Sequence, residues 1–441
     1  MLINFRVSNY KSLREPQVLD LRSVYDQGRG ETVGVAALYG ANASGKSNLL
    51  KAIRFMHDAV TGQNEWNKGE KIRRSPFLLD DECRGLPSSF AIELMLHGIP
   101  YSYGFSVMDD RIAEEWLHSF PKKKKRVLFE RVDGRFHLGP SFASARASLL
   151  TEIVTPQELY IGSAAKALGG EADLIRMWFA GSLWFAEDER ASRSMQRRIT
   201  IETLSEGVLQ NRVQSFLKMA DFGIERASYT DTLVEYIRDE SMDPGQGSFR
   251  VERRPGKLRI RYNAQEPPSI PTELVLTLNE SEGITLAHSG KSPADFKLED
   301  ESRGTQTWFD IAGMVVRALD EGWTLVIDEL DTSLHPLLLA QLIRLFQDPA
   351  SNSSGAQLIF TTHDASLMGR PGGEEVLRRD EVWFAEKEPA SGATHIFPLT
   401  DFKPRNGLNW ERRYLGGALG AIPYTSASLF DEVASTEGSL A

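Results

Sequence analysis

Hydrophobic positions recur along the chain with two spacings, one typical of strands and one typical of helices. The apolar run over residues 35–39 predicts a buried strand, and the spacing over residues 48–60 predicts a helix directly after it. Ser89–Leu96 and Tyr101–Val107 alternate between apolar and polar residues around a turn at 97–100. This second pattern predicts a β-hairpin.

The middle of the chain changes character part of the way through. Residues 249–286 alternate as strands do, whereas helical spacing links Leu204, Val208, Leu209, Val213, Phe216 and Leu217. No heptad pattern continues for three or four repeats, so a long coiled coil is not expected. Two further strands are predicted at 381–385 and 394–398.

A glycine-rich loop separates the first predicted strand from its helix. The loop, Gly40-Ala-Asn-Ala-Ser-Gly-Lys46-Ser47, fits the pattern G-x-x-x-x-G-K-[ST]. Strand, loop and helix in this order suit phosphate binding, because backbone N–H groups and a helix N-terminus attract anions. We expect Lys46 to reach the β- and γ-phosphates of ATP and the Ser47 hydroxyl to bind Mg²⁺. The residues predicted to contact ATP are Gly40, Asn42, Ala43, Ser44, Gly45, Lys46, Ser47 and Asn48.

A second apolar run, Trp323–Ile327, ends in two carboxylates, Asp328 and Glu329. This pattern predicts a Walker B strand, in which Asp328 holds Mg²⁺ through water. Glu329, on the opposite side of an extended chain, is expected to polarise the attacking water. Taken alone, the pattern also fits a core strand that runs into a solvated turn. The phosphate loop favours the nucleotide interpretation.

A third β-rich run covers residues 357–362 and is followed by His363. Ligands bind at the C-terminal edge of parallel α/β sheets, so His363 is predicted to sense the γ-phosphate. An incidental loop histidine is the alternative. A metal centre is not expected, because one cysteine, Cys83, and eight scattered histidines form no cluster at ligand spacing.

Taken together, these motifs resemble the ABC-type ATPases of the SMC/RecF kind. More closely, the chain is similar to the RloA/AbiL-type ATPases linked to abortive infection in bacteria. The resemblance also rests on segments 5–12, 76–80, 128–131, 329–336 and 414–423. It implies an α/β P-loop NTPase fold with an antiparallel β subdomain and a mainly helical inserted subdomain. It also implies a homodimer or higher homo-oligomer, and a separately encoded effector such as a nuclease or toxin.

The resemblance implies a signature loop, and Ser302-Arg-Gly304-Thr305-Gln306 matches it best. In the family, the serine and glycine of this loop touch the γ-phosphate held by the other protomer. The match departs from the family pattern at Glu301 and Thr305. Ser302 also suits an ordinary N-terminal helix cap. Asp331 lies where the family has an aspartate loop at the dimer interface.

Length and composition agree with a large α/β protein that has an insertion. The chain has 441 residues, of which 41% are hydrophobic, and its two nucleotide motifs are far apart. Three segments are predicted: residues 1–140 as an N-terminal ATPase lobe, 141–300 as an inserted lid or partner-binding subdomain, and 301–441 as a C-terminal ATPase lobe. No membrane span or signal peptide is found, which predicts a cytoplasmic protein.

The net charge of −10 argues against general attraction to nucleic acid. Local basic groups leave that possibility open. One is Lys122–Arg126, which also fits a solvated hairpin tip; the others are the arginines at 190–198 and at 250–261, either of which could face phosphates or balance acidic surface. Two functions therefore remain. One is a nucleotide-gated dimer that controls an effector in anti-phage defence, and the other is a RecF-like ATPase that binds DNA during repair or maintenance.

Overall fold

The computed structural model describes residues 1–25, 31–62, 71–220, 223–230, 248–254, 257–263, 273–277, 283–290, 292, 294–403 and 408–423. Between residues 248 and 277, the description covers strand positions but not side chains. The chain divides into two compact units. The middle unit contains residues 181–359 with Met1, and the split unit contains residues 2–180 and 360–441.

The split unit begins with strands and ends with strands. Its elements before residue 180 are β1 (Leu2–Ser8), β2 (Gln17–Asp20), β3 (Val35–Tyr39), α1 (Lys46–Thr61), α2 (Asp81–Arg84), β4 (Ser88–Leu96), β5 (Ile99–Val107), β6 (Ile112–Ser119), β7 (Arg126–Val132), β8 (Arg135–Leu138), α3 (Ala145–Ile153), α4 (Tyr160–Leu168) and α5 (Gly170–Ser182), the last of which runs into the middle unit.

The middle unit contains most of the predicted insertion and the second apolar run. Its elements are β9 (Leu183–Ala186), α6 (Arg190–Leu204), α7 (Gly207–Lys218), β10 (Ile224–Tyr229), β11 (Ser248–Arg254), β12 (Lys257–Asn263), β13 (Glu273–Thr277), β14 (Ile284–His288), β15 (Ala294–Lys297), α8 (Arg303–Glu321), β16 (Thr324–Ile327) and α9 (Pro336–Gln347). Strand β17 (Gln357–Thr361) crosses the division between the units. The split unit then closes with β18 (Val382–Lys387), β19 (Thr394–Pro398) and α10 (Trp410–Leu415).

An antiparallel sheet forms one layer of the split unit. Within the described ranges its strand order is β2-β1-β4-β5-β6-β7-β8. Burial alternates along β4, as expected for a sheet with one face against a core. Helix α1 packs on that face, and the Phe55 ring stacks on Phe90 with centroids 4.7 Å apart. This contact holds the helix that follows the phosphate loop.

Strand β3 is buried along its whole length, as its continuous apolar run predicts. It pairs in parallel with β18, and β19 pairs antiparallel with β18. In the middle unit, β16 pairs in parallel with β9. The chain therefore contains parallel strand pairs in both units, each of which leads towards a predicted site motif.

Helix α8 is the most buried helix of the middle unit. Gly322 ends it in a left-handed conformation with φ 75°. Trp308 stacks on Phe216 of α7 with centroids 4.1 Å apart, and its indole N–H donates to the Phe216 carbonyl. Gly313 faces α6 closely, because a Cβ there would lie 2.4 Å from Thr200 Cα. These contacts fix α8 against α6 and α7.

The predicted elements are confirmed in their main features: the first strand and helix, the hairpin, the strands around residues 249–286 and the two final strands. The fold is α/β, with a strand–loop–helix phosphate-binding arrangement, an antiparallel sheet and helical elements. Unit borders lie at residues 180/181 and 359/360. The predicted borders near residues 140 and 300 lie inside these units, and the division into three segments stays a prediction.

Candidate functional site

The phosphate loop connects the end of β3 to the start of α1, as predicted. Gly45 precedes the helix with φ 108° and has no side chain to cap it. Lys46 is buried, and its ammonium group donates to the carbonyls of Gly40 at 2.8 Å and Ala41 at 3.1 Å. The lysine is thus folded back over its own loop.

The loop environment fits an anionic ligand. The first turn of α1 contains no acidic residue, so neither a capping side chain nor a carboxylate competes for its N–H groups. Ser44 Oγ is buried and has no hydrogen-bond partner among the described residues. Ser47 and Asn48 are half-buried at the helix start, whereas Asn42 and Ala43 are exposed. Ala43 has φ 62°, the left-handed conformation used in turns.

Strand β18 and helix α10 also contact the loop. A Cβ on Gly40 would lie 2.4 Å from the Ala385 carbonyl oxygen, so β18 leaves room only for glycine there. Tyr414 packs its ring edge-on against Tyr39 at 5.7 Å. Burial raises the pKa of the Tyr414 phenol, and a backbone hydrogen bond with Gly40 opposes that rise. Strand β18 and helix α10 therefore contact the loop at Gly40, where it begins.

His363 lies close to the strand that leads into the phosphate loop. It is exposed and follows β17 by two residues. On one side, the Thr362 N–H donates to the Leu38 carbonyl at 3.1 Å. On the other side, the Tyr39 hydroxyl donates to the Asp364 carbonyl at 3.1 Å. Both bonds hold the His363 backbone beside the end of β3, within the split unit.

Asp328 and Glu329 lie in the middle unit, at the end of β16. The Asp328 N–H donates to the Ala186 carbonyl at 3.4 Å, and the residue is half-buried. Glu329 is exposed and has φ 53°. The expectation of an extended chain at Glu329 is therefore wrong. The backbone turns there because the Thr332 N–H donates back to the Glu329 carbonyl at 3.0 Å.

Ser302 is an N-terminal cap, which confirms one of its two interpretations. Its hydroxyl accepts from the Thr305 N–H at 3.2 Å and lies 2.8 Å from the Thr305 hydroxyl. Ser302 is exposed, whereas Thr305 is buried. A Cβ on Gly304 would lie 2.7 Å from the Ser333 carbonyl oxygen, in the loop that contains Asp331. The two segments predicted to act across a dimer are thus neighbours within the middle unit.

The arginines of α6 have a role that the sequence did not reveal. Arg193 and Arg197 both bind Asp310 of α8, with the shortest nitrogen–oxygen distances at 3.0 and 2.8 Å. Asp310 is only 1% exposed. Arg193 also contacts Asp188, which accepts from Arg303 at 2.8 Å. Arg193 and Arg197 therefore neutralise the buried Asp310, which the sequence did not predict, and Arg193 also balances the charge of the exposed Asp188.

An open cleft in the middle unit adjoins this charge cluster. Its walls contain both proposed catalytic carboxylates, together with Asp188, Arg193, Gln196, Thr307 and Asp310. No local signal marks Asp310, because an aspartate within an apolar helix pattern has no recognisable partner in sequence. The cleft brings Asp328 and Glu329 together with Thr307 and Asp310 of α8.

Two features are absent from the described residues, a metal-ligand cluster and a membrane-spanning helix. No group of three or more His, Cys, Asp or Glu side chains in those ranges is placed to hold a metal ion. No helix in the same ranges is both long enough and apolar enough to cross a bilayer. The oxygen groups predicted to bind Mg²⁺ are the Ser47 hydroxyl in the split unit and the Asp328 carboxylate in the middle unit.

Several solved structures are similar to this chain. The SMC head domain from Thermotoga maritima has 14% identity and a TM-score of 0.39, over 90% of this chain and 98% of that chain. An Smc head bound to the C-winged helix domain of ScpA has 14% identity and a TM-score of 0.38, over 90% of this chain and 97% of that chain. An Smc head domain with an extended coiled coil, bound to the C-terminal domain of ScpA from Pyrococcus furiosus, has 15% identity and a TM-score of 0.34. This match covers 98% of this chain and 99% of that chain.

The sequence itself matches a protein family. No curated protein matches the chain. A family model described as "AAA domain, putative AbiEii toxin, Type IV TA system" matches residues 35–369. The match starts at β3, includes the phosphate loop, Asp328 and Glu329, and extends past His363. Because it covers more than half of the sequence, the chain belongs to this family of AAA ATPase domains.

Proposed function

We propose that this protein binds ATP with Mg²⁺ and hydrolyses it as an ABC-type nucleotide switch. The phosphate loop supports this proposal most strongly. It joins a buried strand to a helix that has no acidic residue in its first turn, and it carries a buried lysine. Such a loop offers backbone N–H groups and one cation to the phosphates, which is the chemistry of nucleotide binding. Membership of an AAA domain family agrees with this proposal.

Each site residue has a proposed role. Lys46 contacts the β- and γ-phosphates, and Ser47 and Asp328 bind Mg²⁺. Glu329 is the general base for the attacking water, and His363 senses the γ-phosphate. The left-handed backbone of Glu329 supports its role, because strained residues that the surroundings hold in place are concentrated at functional sites.

Replacing Lys46 by alanine tests the binding site. We expect affinity for a fluorescent ATP analogue to fall about 100-fold, because the substitution removes a charge-assisted contact with the phosphates. Lys51→Ala is the matched control, since Lys51 is an exposed lysine of the same helix. Wild-type affinity in Lys46→Ala would refute the assignment of the site.

Glu329→Gln tests hydrolysis separately. ATP affinity should persist while turnover slows by about 100-fold, because the amide keeps the shape of the side chain but cannot accept the proton. Glu202→Gln, at an exposed position of α6, is the control. Turnover near the wild-type rate would show that Glu329 is not the base.

We propose that two copies assemble on ATP, with the Ser302 loop and Asp331 of each acting on the other copy. Ser302 is exposed at the helix start and can reach a ligand, whereas the buried Thr305 positions it. A mixture of Lys46→Ala and Ser302→Arg chains should regain partial ATPase activity, because each heterodimer contains one intact composite site. Full activity of Ser302→Arg alone would leave Ser302 with a capping role only.

The family description names a toxin–antitoxin system, which supports a role in controlling an effector such as a nuclease or toxin during anti-phage defence. In this proposal, ATP binding and hydrolysis switch the dimer between states that hold and release the effector. Glu329→Gln and Lys46→Ala chains, used as paired baits in native cells, should differ in the partner they retain. Equal recovery of the same partner by both would refute nucleotide control, and salt-sensitive, ATP-dependent DNA binding would favour a DNA-maintenance role.

A further inference from the structure

The phosphate loop contacts two residues that lie outside its own motif. Ser12 follows β1, and Thr394 is the first residue of β19. Their backbones are joined, because the Thr394 N–H donates to the Ser12 carbonyl at 2.7 Å. Thr394 is 0% exposed. The pair therefore forms a fixed point beside the loop, within the split unit.

Side-chain hydrogen bonds connect this pair to both ends of the loop. The Asn48 amide donates to Ser12 Oγ at 2.7 Å, the two hydroxyl oxygens of Ser12 and Thr394 lie 2.8 Å apart, and Thr394 Oγ1 donates to the Ser44 carbonyl at 2.7 Å. A carbonyl can only accept, so the Thr394 proton goes to Ser44. The Thr394 hydroxyl also lies within hydrogen-bonding distance of Ser12 Oγ, so the two hydroxyls link Asn48 to the Ser44 carbonyl.

Gly45 supports the same interpretation independently. A Cβ at this position would lie 2.3 Å from Thr394 Oγ1 and 2.9 Å from Ser12 Oγ. The hydroxyl pair therefore approaches the loop backbone so closely that only glycine fits. Gly45 also has φ 108°, which glycine adopts without strain.

We infer that Thr394 and Ser12 are positioning residues that orient the phosphate-binding N–H groups of the loop. The C=O and N–H of a trans peptide point in opposite directions. When the Ser44 carbonyl points to Thr394, the Gly45 N–H must point away from Thr394, to the other side of the loop. This inference rests on the proposed nucleotide site, because it identifies what sets the direction of that site's backbone donors.

Thr394→Val tests the inference, because valine keeps the shape of threonine and removes the hydroxyl. Affinity for a fluorescent ATP analogue should fall about tenfold, because the loop loses about one hydrogen bond that orients its N–H groups. Thr394→Ser keeps the hydroxyl and should restore most of the affinity. Thr203→Val is the matched control: it removes a buried hydroxyl that donates to the Ile199 carbonyl at 2.7 Å, and should leave ATP affinity unchanged.

A second measurement needs no nucleotide. Hydrogen exchange of the loop amides in the ligand-free protein should be faster in Thr394→Val than in the wild type or Thr203→Val. Wild-type affinity together with wild-type exchange in Thr394→Val would overturn the inference. If the wild type itself does not bind ATP, the proposed function is refuted. The comparison of hydrogen-exchange rates between wild type and Thr394→Val still tests the positioning role. If Thr394→Val does not fold, Ser12→Ala should show the same two effects at about threefold, and unchanged values would overturn the inference.

Discussion

Replacing Glu115 by glutamine should remove a pH dependence of folding stability from the split unit. Glu115 lies on β6, is 0% exposed, and accepts from the N–H groups of Tyr160 at 2.7 Å and Ile161 at 2.9 Å. It thereby caps the start of α4, whose own N-cap residue supplies no side-chain bond. Burial raises the pKa of Glu115 from 4.5 to about 7, although the two backbone hydrogen bonds oppose the rise.

The sign and size of this pH dependence of stability follow from the pKa of Glu115 in the folded protein and in the unfolded chain. The folded protein holds the proton up to about pH 7, whereas the unfolded chain releases it near 4.5. The contribution to stability is therefore present at low pH and is lost as the pH rises towards 7. At about 1.4 kcal/mol per pH unit, the whole effect is about 3 kcal/mol, of which about 2 kcal/mol falls between pH 5.5 and 8.

Urea unfolding at pH 5.5 and 8 measures this contribution. The wild type should lose about 2 kcal/mol more than Glu115→Gln over that interval, because glutamine does not titrate. Glu114→Gln is the matched control, since Glu114 is the neighbour of Glu115 and its side chain is exposed. An equal pH dependence in wild type and Glu115→Gln would refute the assignment of this proton to Glu115.

Three further substitutions have expected outcomes. Gly45→Ala should weaken ATP binding more than tenfold in a fluorescence titration, because the new methyl would lie 2.3 Å from Thr394 Oγ1 at φ 108°. Asp310→Asn should lower the free energy of unfolding by about 3 kcal/mol in urea, since two arginines lose their buried partner. Gly313→Ala should lower the thermal midpoint despite its better helix propensity, because the methyl would lie 2.4 Å from Thr200 Cα.

Local patterns predicted the elements of this chain well. The strand before Gly40, the helix after it and the β-hairpin follow from residue spacing within short windows, and each is present. The cap at Ser302 was likewise readable, because its donor, Thr305, lies three residues away. Features that depend only on residues close together in the sequence, within one or two elements, could therefore be predicted.

Contacts between residues far apart in the sequence could not be predicted. Ser12 and Thr394 bind each other across 382 residues, and Arg193 binds Asp310 across 117. A single sequence carries no signal for either pair, since each residue type is common at such positions. The left-handed turn at Glu329 was missed for a related reason. It depends on how the chain leaves β16, which the apolar run before it does not determine.

The split unit has a consequence for how the protein is made. Its two parts are separated by residues 181–359, so β18 and β19 are synthesised long after β3. At about 5 to 20 residues per second, the ribosome reaches Thr394 about 20 to 70 s after Tyr39. During that interval the nascent chain has the phosphate loop but lacks both the parallel neighbour of β3 and the hydroxyl that binds the Ser44 carbonyl. We therefore expect a nascent chain that ends before residue 382 to bind ATP poorly, so that nucleotide binding begins only after β18 and β19 have been synthesised.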